Sequence, residues 1–127
     1  MKQMFLLFSH KLTLSQEEDA INSLKVEKFI PLPKNLQDLF SNIPNDLDSL
    51  NNYLKPIKEF LKDYSINDDI ALIQGDFGAT YILVNFAKSL KLKAVYSTTK
   101  RVTQEFEEDG KIIKKSIFEH ERFREYE

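Results

Sequence analysis

Asp69-Ile70-Ala71-Leu72-Ile73-Gln74-Gly75-Asp76-Phe77-Gly78-Ala79-Thr80 organises the reading of the whole chain. Its first five residues form a short apolar run that stops abruptly at Gln74, as a strand buried on both faces does. Gly75 and Gly78 punctuate the turn, and Tyr81, Val84, Ala87 and Leu90 then recur at helical spacing. Strand, glycine turn and helix in that order form the first half of a parallel crossover unit.

Downstream, Lys93 to Ser97 predicts the returning strand, with Ala94-Val95-Tyr96 at its centre and Thr98-Thr99-Lys100-Arg101 at its end. Upstream, Met4-Phe5-Leu6-Leu7-Phe8 is a second continuous apolar run, closed by Ser9-His10-Lys11. A helix follows, with Thr13 and Gln16, or Ser15 and Glu18, as its capping box, fading near Ser23. Val26 to Leu32 reads as a strand closed by Pro31 and Pro33. Leu36, Leu39 and Phe40 open a short helical piece, and a longer helix is expected from Asp46 to Tyr64, with Pro56 as a bend. At the other end Asp109-Gly110 is a two-residue hairpin signal between Val102–Phe106 and Ile112–Phe118. The expectation is one α/β domain over residues 1–127: a Rossmann-like, mainly parallel sheet flanked by helices, extended by a C-terminal antiparallel β-hairpin at about 101–119.

Composition narrows the chemistry. With 127 residues, 42% apolar and 30% charged, the chain suits a single soluble domain, and Gly 3 with Pro 4 leaves little for linkers. No run approaches a membrane span, and Met1 to Phe8 does not read as a signal peptide, so a cytoplasmic location without membrane attachment is expected. Zero cysteines exclude disulfides and thiolate chemistry, and two histidines exclude a histidine-rich metal cage; neither a metal nor a cofactor is expected. A net charge of −2 speaks against coating long DNA or RNA.

Open α/β sheets bind ligands outside the carboxyl ends of their strands. Three expected strands end in polar residues: Ser9, His10 and Lys11; Gln74, Gly75, Asp76, Gly78 and Thr80; and Ser97, Thr98, Thr99, Lys100 and Arg101. A parallel sheet would gather them on one rim. Free amides at the turn would suit a phosphate, although its spacing matches neither a dinucleotide fingerprint nor a P-loop, and Asp76 or Thr80 could equally be a helix cap. Lys100 and Arg101 could hold phosphate oxygens, or simply flank a solvated strand exit. His10 can move a proton near neutral pH, though a lone histidine is more often structural or exposed; His120, among charged residues on the hairpin, reads as a surface residue.

The same residues carry a resemblance. Phe5-Leu6-Leu7-Phe8-Ser9-His10-Lys11-Leu12-Thr13, Ser41-Asn42-Ile43-Pro44, Gln74-Gly75-Asp76-Phe77-Gly78-Ala79-Thr80-Tyr81 and Thr98-Thr99-Lys100-Arg101 together resemble the small CRISPR-associated family called Csx-twenty. Asn45 departs from the Ile-Pro-Pro associated with that family. The resemblance implies a CARF-like (CRISPR-associated Rossmann fold) protein of type III systems: a metal-independent ring nuclease that opens a cyclic oligoadenylate, with cyclic tetra-adenylate its expected ring, and ends antiviral signalling. Within that reading His10, Lys100 and Arg101 are the candidate catalytic residues, and Ser9, Lys11, Gln74, Gly75, Asp76, Gly78, Thr80, Thr98 and Thr99 the candidate ligand contacts. The expected product carries a 2′,3′-cyclic phosphate. A symmetric ring suggests a homodimer gripping it on the two-fold axis. The competing readings are a non-catalytic cyclic oligoadenylate sensor or sponge, a nucleotide-binding oxidoreductase or regulator, and a structural partner using the hairpin edge.

Overall fold

In the computed structural model, which describes residues 1–127, the chain runs β1 (Gln3–Phe8), α1 (Leu14–Leu24), β2 (Lys28–Pro31), α2 (Lys34–Ser41), α3 (Lys55–Tyr64), β3 (Ile70–Gln74), α4 (Phe77–Ser89), β4 (Lys93–Glu108) and β5 (Lys111–Glu125). One sheet contains all five strands in the order β2-β1-β3-β4-β5. The pairings of β1 with β2, β1 with β3 and β3 with β4 are parallel, and β4 with β5 is antiparallel. No helix is long and apolar enough to cross a membrane.

This corrects the expected Rossmann-like, CARF-like and mainly parallel architecture. The sheet is mixed and curled, and its dominant pairing is antiparallel. The longest parallel register extends only from Met4↔Ile70 to Phe8↔Gln74, whereas β4 and β5 stay paired from Val95↔Glu125 out to Glu108↔Lys111. The expected fourth strand and the first arm of the expected hairpin are one continuous strand. Thr98 to Arg101 look like an exit because they are polar, but a ribbon with water on both faces does not need an apolar alternation to pair, and Thr and Val favour the extended backbone.

Two cores lie on opposite faces. Phe5, Leu7, Ala71 and Ile73 point to the face covered by α2, α3 and α4, against Phe40, Ile57, Leu61 and Leu83. Met4, Ile70, Leu72 and Val95 point to the other, where α1 contributes Ala20 and β5 contributes Phe123. Because β1 and β3 have both faces covered, each reads as a continuous apolar run, Met4–Phe8 and Ile70–Ile73. Asp69, just before β3, is buried, and its carboxylate accepts from Gln3 N (3.2 Å), Gln3 Nε2 (2.9 Å) and Ile66 N (3.0 Å), pinning the start of β3 to β1.

The helix starts follow local rules. Thr13 and Gln16 form the capping box of α1: Thr13 Oγ1 accepts from Gln16 N at 3.2 Å and Gln16 Oε1 accepts from Thr13 N at 2.9 Å. The expected long helix from Asp46 is shorter. Asn45, Asp46, Asp48, Ser49, Asn51 and Asn52 favour turns, and α3 begins only at Lys55, with Pro56 in its first turn, where proline removes no helical hydrogen bond. Asp76 caps α4, its Oδ2 accepting from Ala79 N at 3.0 Å. Asp76→Ala is expected to cost about 1 kcal/mol in urea unfolding; an unchanged midpoint would show that the cap carries no stability.

Candidate functional site

The ends of β1, β3 and the early part of β4 adjoin. Phe8 is in register with Gln74, and Gln74 Oε1 accepts from Ser97 N at 2.7 Å. Ser9-His10-Lys11 and Gln74-Gly75-Asp76 therefore leave neighbouring strands at the same end of the sheet. Their side chains nevertheless line two clefts rather than the expected single mouth.

The first cleft, about 500 Å³, lies between the end of β1, β2 and the start of α1. Leu6, Phe8 and Phe29 form its apolar wall and Ser9, His10 and Lys11 its rim. The His10 ring meets Phe8 edge-on at 5.3 Å. Ser9 Oγ accepts from Ser41 Oγ at 3.2 Å, joining the β1 end to the end of α2.

The second cleft, about 400 Å³, is lined by Gln74, Gly75, Phe77, Thr80, Tyr96 and Tyr126. The Tyr96 and Tyr126 rings lie 4.8 Å apart. Arg124 lies 5.6 Å from the Tyr96 ring centre and donates to its hydroxyl at 3.0 Å. Tyr126 Oη donates to the Ile73 carbonyl at 2.5 Å, and burial, helped by the neighbouring Tyr96, pushes its phenol above the ordinary tyrosine range. Thr80 Oγ1 is buried without a hydrogen-bond partner. Phe77 is 95% exposed beside it, with Tyr81 one turn further along α4.

Gly75 serves packing. A Cβ there would lie 2.8 Å from Phe40 Cζ, so the turn rests directly on a core ring. Gly78 has ordinary clearance, 3.5 Å to Asp76 Oδ2 and 3.6 Å to Leu50 Cδ1. The cap reading of Asp76 applies: besides its side-chain bond, its carbonyl accepts from Thr80 N at 2.8 Å. The negative carboxylate thus stands where a phosphate was expected, at the helix N-terminus.

Thr98, Thr99, Lys100 and Arg101 sit within the ribbon rather than at a strand end. Thr98 Oγ1 accepts from Arg122 N at 3.1 Å and donates to Arg122 O at 2.9 Å, beside a ladder irregularity between Thr98 and Thr99. Lys100 lies 3.6 Å from Glu121, and Arg101 donates to Ser116 Oγ from Nε and Nη2 at 3.1 and 3.0 Å. Consecutive strand residues alternate faces, so Lys100 shares the face of Tyr96 while Arg101 takes the opposite one. The two cations cannot grip one phosphate from the same side.

The side chain of His120, expected at the surface, is 3% exposed and forms a chain of hydrogen bonds beneath α1. Its Nε2 lies 2.7 Å from Asp19 Oδ2 and its Nδ1 2.5 Å from Ser97 Oγ. A carboxylate can only accept, so Nε2 carries a proton, and Nδ1 meets the Ser97 hydroxyl. Ser97 Oγ also accepts from Gln16 Nε2 at 3.3 Å, and Asp19 Oδ1 accepts from Ser23 Oγ at 2.6 Å. Burial pushes the Asp19 carboxyl up, but bonds from Ser23 and His120, with the His120 charge, outweigh it and hold the group below its ordinary value. These are the residue types of a nucleophilic triad. Yet Ser97 is buried beneath Gln16 and lines neither cleft, so the chain acts as a tie between α1, β4 and β5.

Sequence reading missed Tyr96, Tyr126, Arg124 and Phe77. The signal was present: Arg122, Arg124 and Tyr126 alternate along one strand face, and Phe77 and Tyr81 are one helical turn apart. No three His, Asp or Glu side chains gather as metal ligands.

Comparison with known proteins adds kinship. The family described as Uncharacterized protein MJ1673 family matches residues 2–124. A protein of Methanocaldococcus jannaschii described as "Uncharacterized protein MJ1673" is 59% identical over 126 residues, covering 99% of this chain and 98% of the relative. No solved structure matches. With nearly every element of the fold inside both alignments, the chain belongs to the MJ1673 family.

Proposed function

We propose that the chain binds a cyclic oligoadenylate, with cyclic tetra-adenylate the first ring to test, and opens it. The observation that carries this reading is the second cleft, where Tyr96 and Tyr126 lie side by side with Arg124 over Tyr96. Aromatic faces and a guanidinium stack a base. The resemblance to the Csx-twenty family supports the same ligand class.

Geometry gives the candidate residues different tasks. β1 and β4 are two strand spacings apart, about 10 Å. A base held by the tyrosines leaves its sugar-phosphate crossing Gln74 and Gly75 toward Ser9, His10 and Lys11. There His10 takes the ribose 2′-hydroxyl proton as the 2′-oxygen attacks phosphorus. The bond from phosphorus to the 5′-oxygen breaks, that oxygen leaves as a hydroxyl with the proton that His10 hands on, and the product keeps a 2′,3′-cyclic phosphate. No outside water or metal enters the step. Lys11 and Lys100 offer charge to the phosphates, and Arg101 faces away.

A second reading, a sensor or sponge that holds the ring intact, is favoured by one feature: the residues lining the tyrosine cleft include no histidine, carboxylate or lysine. Incubating the protein with cyclic tetra-adenylate and resolving the products chromatographically separates the two. The nuclease reading expects a linear cyclic-phosphate product, slowed at least tenfold by His10→Ala, and ring affinity lowered by Tyr96→Ala. A bound but uncut ring at stoichiometric protein supports the sensor; an unbound ring removes both.

A further inference from the structure

The β4–β5 ribbon carries one face with an ordered pattern. Beyond Val95 no third strand flanks it, since β3 pairs with β4 only as far as Leu72↔Val95. An isolated two-stranded ribbon is marginal in water unless something covers it. By strand alternation one face presents Lys100-Val102-Gln104-Phe106-Glu108 on β4 and Lys111-Ile113-Lys115-Ile117-Glu119 on β5. Val102 is in register with Ile117 and Phe106 with Ile113, giving two apolar cross-strand pairs; Phe106 remains 44% exposed. The opposite face breaks its apolar residues with Lys114 and Ser116.

Along this face β4 reads cation, apolar, polar, apolar, anion, and β5 reads the same except that its central residue is the cation Lys115. Such a pattern is complementary to itself when reversed. We propose that this face binds a second copy of the chain, the two ribbons packed face to face and antiparallel about a two-fold axis at Gln104 and Lys115. That operation lays Lys100 over the partner's Glu108 and Lys111 over the partner's Glu119, while Val102 meets the partner's Phe106 and Ile113 the partner's Ile117. An isologous contact of this kind repeats every interaction twice. Glu108, Lys111 and Glu119 take part in no ion pair within the chain, so their charges are available, and Lys100 would share its exposed 3.6 Å contact with Glu121. Lys115 meets its own copy on the axis, and its long stem lets the ammonium turn out to water. The partner's Asp109-Gly110 tip then reaches Thr98, beside the tyrosine cleft.

This proposal is independent of the ring reading and is tested on mass. Sedimentation of the full chain over a dilution series is expected to give twice 14.9 kDa at high concentration. Lys111→Glu and Glu119→Lys chains, each alone, should dimerise at least tenfold more weakly, because each then sets like charges against one another at both symmetric contacts. Mixed one to one they should associate as the original does. In the mixed pair the introduced glutamate faces the introduced lysine at one contact, and an unchanged Lys111 faces an unchanged Glu119 at the other. Mixing changes nothing within either chain, so restored association cannot come from intrachain repair. Phe106→Ser, with folding checked by circular dichroism, should also dissociate the dimer and serves if a charge variant does not fold. A monomer at every concentration, variants that associate like the original, or a mixture that stays monomeric would each overturn the interface.

Discussion

His120→Ala is expected to lower the unfolding free energy by about 3 kcal/mol, because it leaves the Asp19 carboxylate and the buried Ser97 hydroxyl without their shared partner. It also removes a ring that packs tilted against Phe123, centroids 4.5 Å apart, in the core beneath α1. Urea unfolding of His120→Ala, Asp19→Asn and the double variant forms a cycle, and residues in one hydrogen-bond chain should couple by at least about 1 kcal/mol. The pH dependence has a definite sign. The folded Asp19 group titrates below its ordinary 3.8, so the unfolded chain binds the proton more readily. The stability this contributes is fully present above about pH 4 and is lost as pH falls through the folded value. Asp19→Asn should flatten that acid limb. Additive single losses, or an acid limb identical in Asp19→Asn, would mean that the three side chains do not act as a unit.

Gly75→Ala is expected to cost about 2 kcal/mol, from overpacking rather than backbone strain. Gly75 has no positive φ, so alanine suits the backbone; the obstacle is the Phe40 ring, 2.8 Å from the new Cβ and itself 2% exposed. A fully buried ring has no free space into which to swing. Phe40→Leu alone should destabilise by a cavity, yet added to Gly75→Ala it should recover part of the loss, because the methyl then occupies vacated volume. Losses that simply add would show that the turn yields without involving the ring. Since Gly75 also lines the tyrosine cleft, the variant should weaken ring binding in the same assay, and Phe40→Leu should restore it in step with stability.

The order of residues was enough to locate the short buried strands β1 and β3, the glycine turn, α4 and the hairpin tip at Asp109-Gly110. Each rests on a local rule: an unbroken apolar run, a capping residue or a dipeptide that accepts positive φ, as both tip residues do. It also placed Ser9, His10 and Lys11 at the end of β1 and Gln74 and Gly75 at the end of β3, as neighbours. Three outcomes came from the folded chain alone: β4 continues past Thr98, Lys100 and Arg101 face opposite ways, and His120 is buried. Those outcomes depend on pairing with β5 and on α1 closing over it, contacts between residues as distant as Asp19 and His120, and a polar pattern that is equally at home in a loop or a two-sided ribbon cannot announce them.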